Sequence, residues 1–238
     1  MNCIIASYLT TGIDIQRDIY TEKDNVKYIE EWYDTLISNK LNGIIFYDDL
    51  SDNFIKEFPK VKFNKVDSIP EGMQLHDYRW FIYLSYLKNN TEVENIFFTD
   101  IADVKIIKDP FIQPEFNDNT LYIGDETCKM DSWIVRCVSE AFELIDDYHA
   151  IIGKYREENL LNCGIVGGNR NIIISYLELF KEYTLKILSR PILDKTVDVP
   201  IFNYVVWKYF YPNIVHGLPV NSRFCNYENI DNVWFIHK

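Results

Sequence analysis

Short apolar runs rich in β-branched residues alternate along this chain with longer stretches of helical periodicity, and that alternation limits the fold more than any other feature. NCIIASYL is a strand-length run that ends in the loop signal TTG. Residues 25–38, NVKYIEEWYDTLIS, then place Val26, Ile29, Trp32, Tyr33 and Leu36 at helical spacing. NGIIFYDDLS reads as a second strand, with Ser51 placed to cap a short helix over DNFIKEF. KVKFNKVD alternates as a third strand, DYRWFIYLSYL is a helix with a broad apolar face, and NIFFTD is the next strand. Further on, residues 132–151 are expected to form one long helix and NCGIVGG a strand and turn. NIIISYLELFKEYTLKIL and VPIFNYVVWKYF follow as helices, and NVWFIH closes as a strand. This order implies an α/β fold with a mainly parallel central sheet flanked by helices on both faces. No repeat, low-complexity tract or Pro/Gly/Ser linker interrupts it, so residues 1–238 read as a single domain.

Composition narrows the function. Acidic residues outnumber basic ones by 36 to 24, a net charge of −12, which argues against a nucleic-acid partner. An anionic small ligand stays possible, because a metal ion can supply positive charge locally. Aromatics make up 16% of the chain, enough to fill a core and to line a groove that stacks on sugars or bases. The five cysteines (Cys3, Cys128, Cys137, Cys163 and Cys225) are odd in number and form no CxxC pair, which fits reduced thiols in the cytoplasm. The N-terminal MNCIIASYLTTG does not read as a signal peptide, and no apolar run is long enough for a membrane span.

In open α/β sheets the ligand sits beyond the C-terminal ends of the strands. Asp100 and Asp103, in FFTDIADVKIIKDPF, lie just past such an end. Two carboxylates this close can converge on Mg²⁺ or Mn²⁺, which is commonly held by one or two carboxylates plus substrate phosphates; the alternative is a solvated turn. NCGIVGGN brings together Asn162, Gly164, Gly167 and Gly168 without the GxGxxG spacing of a dinucleotide loop. Its glycines suit close approach of backbone to a sugar, with the Asn amide bonding a hydroxyl, or else a plain turn before the next helix. Asp198 opens a helix, where a carboxylate serves either as N-cap or as a catalytic group. Asp125 and Glu126, in YIGDET, are further candidates for a base, and the sequence does not decide among them.

FFTDIADVKIIKDPF resembles the metal-binding aspartate segment of GT-A-fold glycosyltransferases, which use nucleotide-diphosphate sugars. SYLTTGIDIQR is similar to the first strand and loop of a subgroup with Asp-x-Gln-Arg there, and IIFYDDLS to its second strand. HDYRWFIYLSYL resembles the subgroup's Asp-Tyr-Arg helix, LNCGIVGGNR its Asn-x-Gly strand and glycine turn, and DVPIFNYVVWK its Asp-x-x-x-x-Asn helix. HGLPVNSRF and WFIHK resemble its C-terminal histidine segment. Over nearly its whole length the chain resembles the small glycosyltransferases of large DNA viruses and bacteria.

The resemblance implies a GT-A fold and metal-dependent transfer of a hexose or deoxyhexose from a nucleotide-diphosphate sugar, a UDP-sugar by family habit, to a glycan hydroxyl. It implies that Ala6, Ser7, Tyr8 and Thr10 hold the nucleoside, with Tyr8 stacking on the base. Arg79 would reach the diphosphate or donor sugar through its forked guanidinium. Asp100 and Asp103 would bind Mn²⁺ or Mg²⁺, His237 in preference to His216 would be the third ligand, and Lys238 would touch phosphate. Asn162 and Gly164 would meet the donor, and Asp198 or Asp125 the reacting centre. A non-catalytic nucleotide- or sugar-binding module on the same fold is the alternative reading. A sugar-nucleotide-forming nucleotidyltransferase fits less well, since only one glycine and one arginine follow the first strand in SYLTTGIDIQR.

Overall fold

The computed structural model describes residues 1–14, 18–130, 140–190, 197–222 and 232–237. β1 (Asn2–Tyr8) leads through a two-stranded ribbon, β2 (Ile13–Asp14) and β3 (Ile19–Tyr20), into α1 (Val26–Ser38). Asn25 caps α1 by accepting from the Lys27 amide, and Ile29, Trp32 and Leu36 form its buried stripe, as their spacing predicts. β4 (Gly43–Tyr47) starts at a glycine for a steric reason: a Cβ there would lie 2.9 Å from Leu36 and 3.1 Å from Trp32. Ser51 caps α2 (Asp52–Glu57) through the Phe54 amide, and β5 (Val61–Lys65), α3 (Leu75–Asn89) and β6 (Asn95–Thr99) follow as expected.

These elements build a seven-stranded sheet in the order β10-β8-β9-β6-β1-β4-β5, where β8 is Leu121–Lys129, β9 is Asn159–Asn169 and β10 is Ile214–His216. β1 lies parallel to β4 and β6, β4 to β5, and β8 to β10. The exception is β9, antiparallel to both β6 and β8. α5 (Arg170–Leu188) and α6 (Asp198–Tyr209) join α3 on one face, and α1 covers the other. Adjacent residues of β6 serve opposite faces, as the pleat requires. Phe98 stacks on Tyr83 at 4.4 Å and meets Trp80 at 5.7 Å, whereas Phe97 packs on Phe235 at 5.0 Å and Trp234 at 6.1 Å. Much of the aromatic wealth of the sequence is therefore core.

A second, three-stranded sheet in the order β11-β12-β7 combines β7 (Val104–Ile106), β11 (Asn221–Ser222) and β12 (Phe235–His237). β7 and β12 are antiparallel with His237 opposite Val104, which carries a histidine from the far end of the chain to the turn holding Asp100 and Asp103.

Several expectations need correction. NCGIVGG is strand throughout: β9 runs unbroken to Asn169, and Gly167 is there because a Cβ would sit 2.2 Å from the Phe97 ring. Residues 131–139 lie outside the described residues, and the remainder of the expected long helix is broken into a 3₁₀ turn (Glu140–Leu144) and α4 (Tyr148–Lys154). Asp147 pins that break, accepting from the Tyr204 hydroxyl at 2.6 Å and the Lys208 ammonium at 3.0 Å. Asp198 is the first residue of α6 and makes no capping bond; Val197 holds the cap position. No helix among the described residues is long and apolar enough to cross a membrane.

Candidate active site

The C-terminal end of β6 is fixed from both sides. The buried Trp32 indole donates to the Thr99 hydroxyl at 2.8 Å, and the Asp100 amide donates to the Gly164 carbonyl at 2.9 Å. The Asp100 carboxylate is thereby held between a helix and the small sheet. Arg79, on α3, donates through Nη1 to Asp100 Oδ1 and through Nη2 to the Cys163 carbonyl at 3.4 Å. From β12, His237 brings Nε2 to 3.8 Å from Asp100 Oδ2. Gly164 lies beneath the cluster, where a Cβ would stand 2.2 Å from His237 Cε1 and 2.8 Å from both Asp100 Oδ2 and Asn162 Oδ1. Its amide donates to Asn162 Oδ1 at 2.6 Å, and Asn162 Nδ2 in turn donates to Glu126 Oε1 at 2.8 Å.

The electrostatics follow from this packing. Burial alone would raise the Asp100 carboxyl, but Arg79 and then His237 hold it below the usual carboxylate range. Burial would likewise disfavour the charged Arg79, and the neighbouring Asp100 more than offsets that, so Arg79 stays a cation. His237, 2% exposed, is pushed below the ordinary histidine value by burial, against the opposing charges of Asp100 and Asp103. A carboxylate and a neutral imidazole side by side pair a hard oxygen donor with a borderline nitrogen donor, a combination that divalent ions accept. Asp103 sits in the turn before β7, close enough for its charge to reach His237. Among the described residues, no three His, Cys, Asp or Glu side chains converge as a ready-made cage. Asp100 and His237 are the two side chains here that could hold an ion taking its remaining ligands from substrate phosphates.

Two buried carboxylates flank this cluster. Asp77, two residues before Arg79 on α3, is fully buried, and neither of its oxygens has a hydrogen-bond partner; Oδ1 of Asp198, 3% exposed, also has none. Burial and the charge of Asp198, opposed by Arg79, raise the Asp77 carboxyl well above the ordinary range. Reasoning from sequence assigned Asp77 no role, although it precedes Arg79 by two positions in the quoted Asp-Tyr-Arg run.

The first strand departs from expectation. Tyr8 cannot stack on a base: its ring is fully buried, 4.8 Å from Tyr28 and 5.8 Å from Phe54, with its hydroxyl donating to the Glu22 carbonyl at 2.5 Å and accepting from the Asn25 amide at 3.0 Å. Ala6 is buried too. Ser7, half-buried, faces the buried Tyr83. Thr10 and Thr11 are gripped by Asp48, at the end of β4. Oδ1 accepts from the Thr10 amide (2.8 Å), the Thr10 hydroxyl (3.1 Å) and the Asp49 amide (2.7 Å); Oδ2 accepts from the Thr11 amide (2.9 Å) and hydroxyl (2.6 Å). Asp48 anchors this loop and was given no role from sequence; its only signal was an aspartate just past an apolar strand.

Asp125 is drawn elsewhere. Only 1% exposed on β8, it accepts from Asn159 Nδ2 at 2.9 Å and pairs with His216 Nδ1 at 3.1 Å, while its backbone exchanges hydrogen bonds with the Asn221 side chain. The structure thus places His237 beside Asp100 and His216 beside Asp125. It is the next residue, Glu126, that reaches Asn162. Lys238 lies outside the described residues.

No protein-family model matches this chain, and no curated protein sequence does. Solved structures do. A crystal structure of the galactosyltransferase LgtC, in complex with donor and acceptor sugar analogues, aligns over 100% of this chain and 86% of its own, with a TM-score of 0.54 and 14% sequence identity. The seven-stranded, mostly parallel sheet flanked by helices is a GT-A fold.

Proposed function

We propose that this protein is a glycosyltransferase that moves a hexose or deoxyhexose from a nucleotide-diphosphate sugar, a UDP-sugar in the first instance, to a hydroxyl of a glycan acceptor, in the cytoplasm and with a divalent cation. One observation carries the reading: Asp100, at the C-terminal end of β6, is clasped between Arg79 and His237 over a glycine whose missing side chain makes room for the histidine. The likeness to a galactosyltransferase crystallised with donor and acceptor analogues supports it.

Asp100 and His237, with Asp103 joining from the turn, would hold Mn²⁺ or Mg²⁺. Bound there, the ion would supply positive charge where the leaving diphosphate gains negative charge. Arg79 has two jobs in this scheme: it keeps Asp100 ionised, and its guanidinium presents planar donors suited to phosphate oxygens. The loop held by Asp48, with Ser7 beside it, would frame the nucleoside. Asn162 and the bare backbone at Gly164 would position the donor sugar, where orientation contributes most to rate. Asp198 or Glu126 would serve the reacting centre, taking the acceptor proton or stabilising positive charge at the sugar carbon. Asp125, committed to Asn159 and His216, is the weaker candidate.

Calorimetric titration with UDP, with and without Mn²⁺, tests the reading on the native protein and on Asp103→Ala and Asp100→Ala. Binding that requires the metal and weakens at least about tenfold in the variants, a loss of about 1.4 kcal/mol, is expected. UDP-sugar hydrolysis or transfer should accompany it. UDP binding with no turnover of any sugar nucleotide would move the conclusion to a non-catalytic binding module of the same fold.

A further inference from the structure

α3 carries aromatic residues on more than one face. Trp80, Tyr83, Leu84 and Leu87 are buried in the core, while Tyr78, Phe81 and Tyr86 are only half-buried on the opposite side. β5 is the edge strand of the seven-stranded sheet, and between it and this outer face of α3 runs a groove of about 500 Å³. That size falls within the roughly 300–1,000 Å³ of ligand pockets.

The lining of the groove is specific in kind. The rings of Phe46, Tyr78, Phe81 and Tyr86 share the lining with the amides of Asn64 and Asn89, Phe46 being largely covered at 3% exposure. Phe46 and Tyr86 meet edge to face at 5.2 Å, which fixes the floor. Two buried polar atoms on the walls, Asn64 Nδ2 and the Tyr86 hydroxyl, have no hydrogen-bond partner. Asn89 Nδ2 is tied to the Ser85 carbonyl at 2.9 Å, which orients its amide. Among the lining residues one lysine and one aspartate, Lys65 and Asp67, balance each other, and Lys62 Nζ lies 5.7 Å from the Tyr86 ring centroid, so the groove has no cluster of cations for an anionic ligand to answer. Tyr86 and Phe81 each have a lysine ammonium over one ring face, that of Lys62 and, at 5.6 Å, that of Lys181. The remaining aromatic surface, for sugar C–H groups, beside amides and hydroxyls, for sugar O–H groups, matches a neutral saccharide. The position matters as well. Tyr78 lies between Asp77 and Arg79 in sequence, so one end of the groove is level with the candidate active site and the other reaches Asn89 at the far end of α3.

We propose that this groove is a second saccharide-binding site, which holds a neutral oligosaccharide stretch of the acceptor away from the hydroxyl that is glycosylated. Its role as an acceptor subsite rests on the transferase reading above; saccharide binding itself does not. The test is calorimetry and saturation-transfer NMR on the whole protein with malto-, cello-, xylo- and chitotetraose, each with and without saturating UDP and Mn²⁺. At least one tetrasaccharide is expected to bind whether or not UDP is present. Ser85→Trp, which fills the groove from an exposed position, should weaken that binding at least tenfold and leave UDP affinity unchanged. Phe81→Ser is the second variant, should the tryptophan disturb folding. Asp100→Ala should do the reverse, abolishing UDP binding and sparing the saccharide. The proposal is overturned if none of the four binds, if UDP displaces the saccharide, or if both groove variants bind it normally. A concentration-dependent dimer dissolved by Ser85→Trp would also overturn it, assigning the groove to self-association. Loss of UDP binding alone would sink the transferase reading and leave the groove standing.

Discussion

Arg79 and Asp100 form a buried-edge ion pair in which the guanidinium takes one carboxylate oxygen, Oδ1, and leaves Oδ2 turned toward His237. The two oxygens thereby do separate work. Arg79→Met should let the Asp100 carboxyl rise toward and past its ordinary value, since burial then acts unopposed by its largest counter-charge. UDP affinity at pH 7 should fall about tenfold or more, and the loss should deepen as pH drops toward the new Asp100 value; titration at pH 7.5 and pH 5 checks both. Arg79→Lys should restore charge but not the fork, recovering only part of the affinity.

Gly164→Ala places a methyl group where His237 Cε1 now lies 2.2 Å away. Since β9 is flanked on both sides, the histidine rather than the strand must give way. Expected are a loss of about 1–3 kcal/mol in stability, as for overpacking elsewhere, and loss of metal-dependent UDP binding. Thermal unfolding and calorimetry measure the two; a variant that binds UDP–Mn²⁺ normally would remove Gly164 from the site.

Asp77 works in the opposite sense from Asp100. Its carboxyl is raised by burial and by Asp198, so the folded protein retains a proton that the unfolded chain has released. Its contribution is fully present below the unfolded value of about 3.9 and is lost as pH rises through the folded value. Asp77→Asn removes that penalty. Tm at pH 7 should rise by several degrees, about 2–4 °C for each kcal/mol recovered, with little change near pH 4. A fall in turnover in the same variant would mark Asp77 as a residue retained for function at the expense of stability.

Asp48→Ala leaves the Thr10–Thr11 loop without its anchor. Asp48 is held below the ordinary aspartate range: burial would raise it, and donors from Thr11, Thr10 and Asp49 prevail. The stability it supplies is present above about pH 3.9 and lost as pH falls through the folded value. Removing the carboxylate should cost about 2–4 kcal/mol and raise the KM for the sugar nucleotide more than it lowers kcat. Asp48→Asn, which keeps the shape but donates where it should accept, should be intermediate.

Strands and helices with strict periodicity were legible in the sequence: α1 with its stripe of Ile29, Trp32 and Leu36, α2 with its Ser51 cap, and β6 running into Asp100. β8 was passed over because LYIGDETCK mixes an apolar start with polar residues, and its pairing is decided by β9 and β10 rather than locally. Glycines misled for a related reason. NCGIVGG carried two readings for its glycines, close approach of backbone to a sugar or a turn before the next helix; the turn is absent, and Gly164 and Gly167 stand in a strand where His237 and Phe97 take the room a side chain would fill. The grouping of Arg79, Asp100, Asn162 and His237 was anticipated by resemblance. Tyr8 was not foreseen as core, because no local pattern tells a ring that stacks on a ligand from one that stacks on Tyr28 and Phe54.

His237 reaches the cluster on a three-residue strand that pairs with β7 and β11 and, among the described residues, with no strand of the large sheet. A short ladder of this kind can open on its own while the seven strands behind it remain intact. Phe235 and Trp234, buried against Phe97, set the free energy of that opening. Amide hydrogens of Phe235–His237 should exchange faster than those of β1, β4 and β6, and slow when a ligand draws the small sheet shut. The chain can be fully folded by every global measure and still spend part of its time without its histidine.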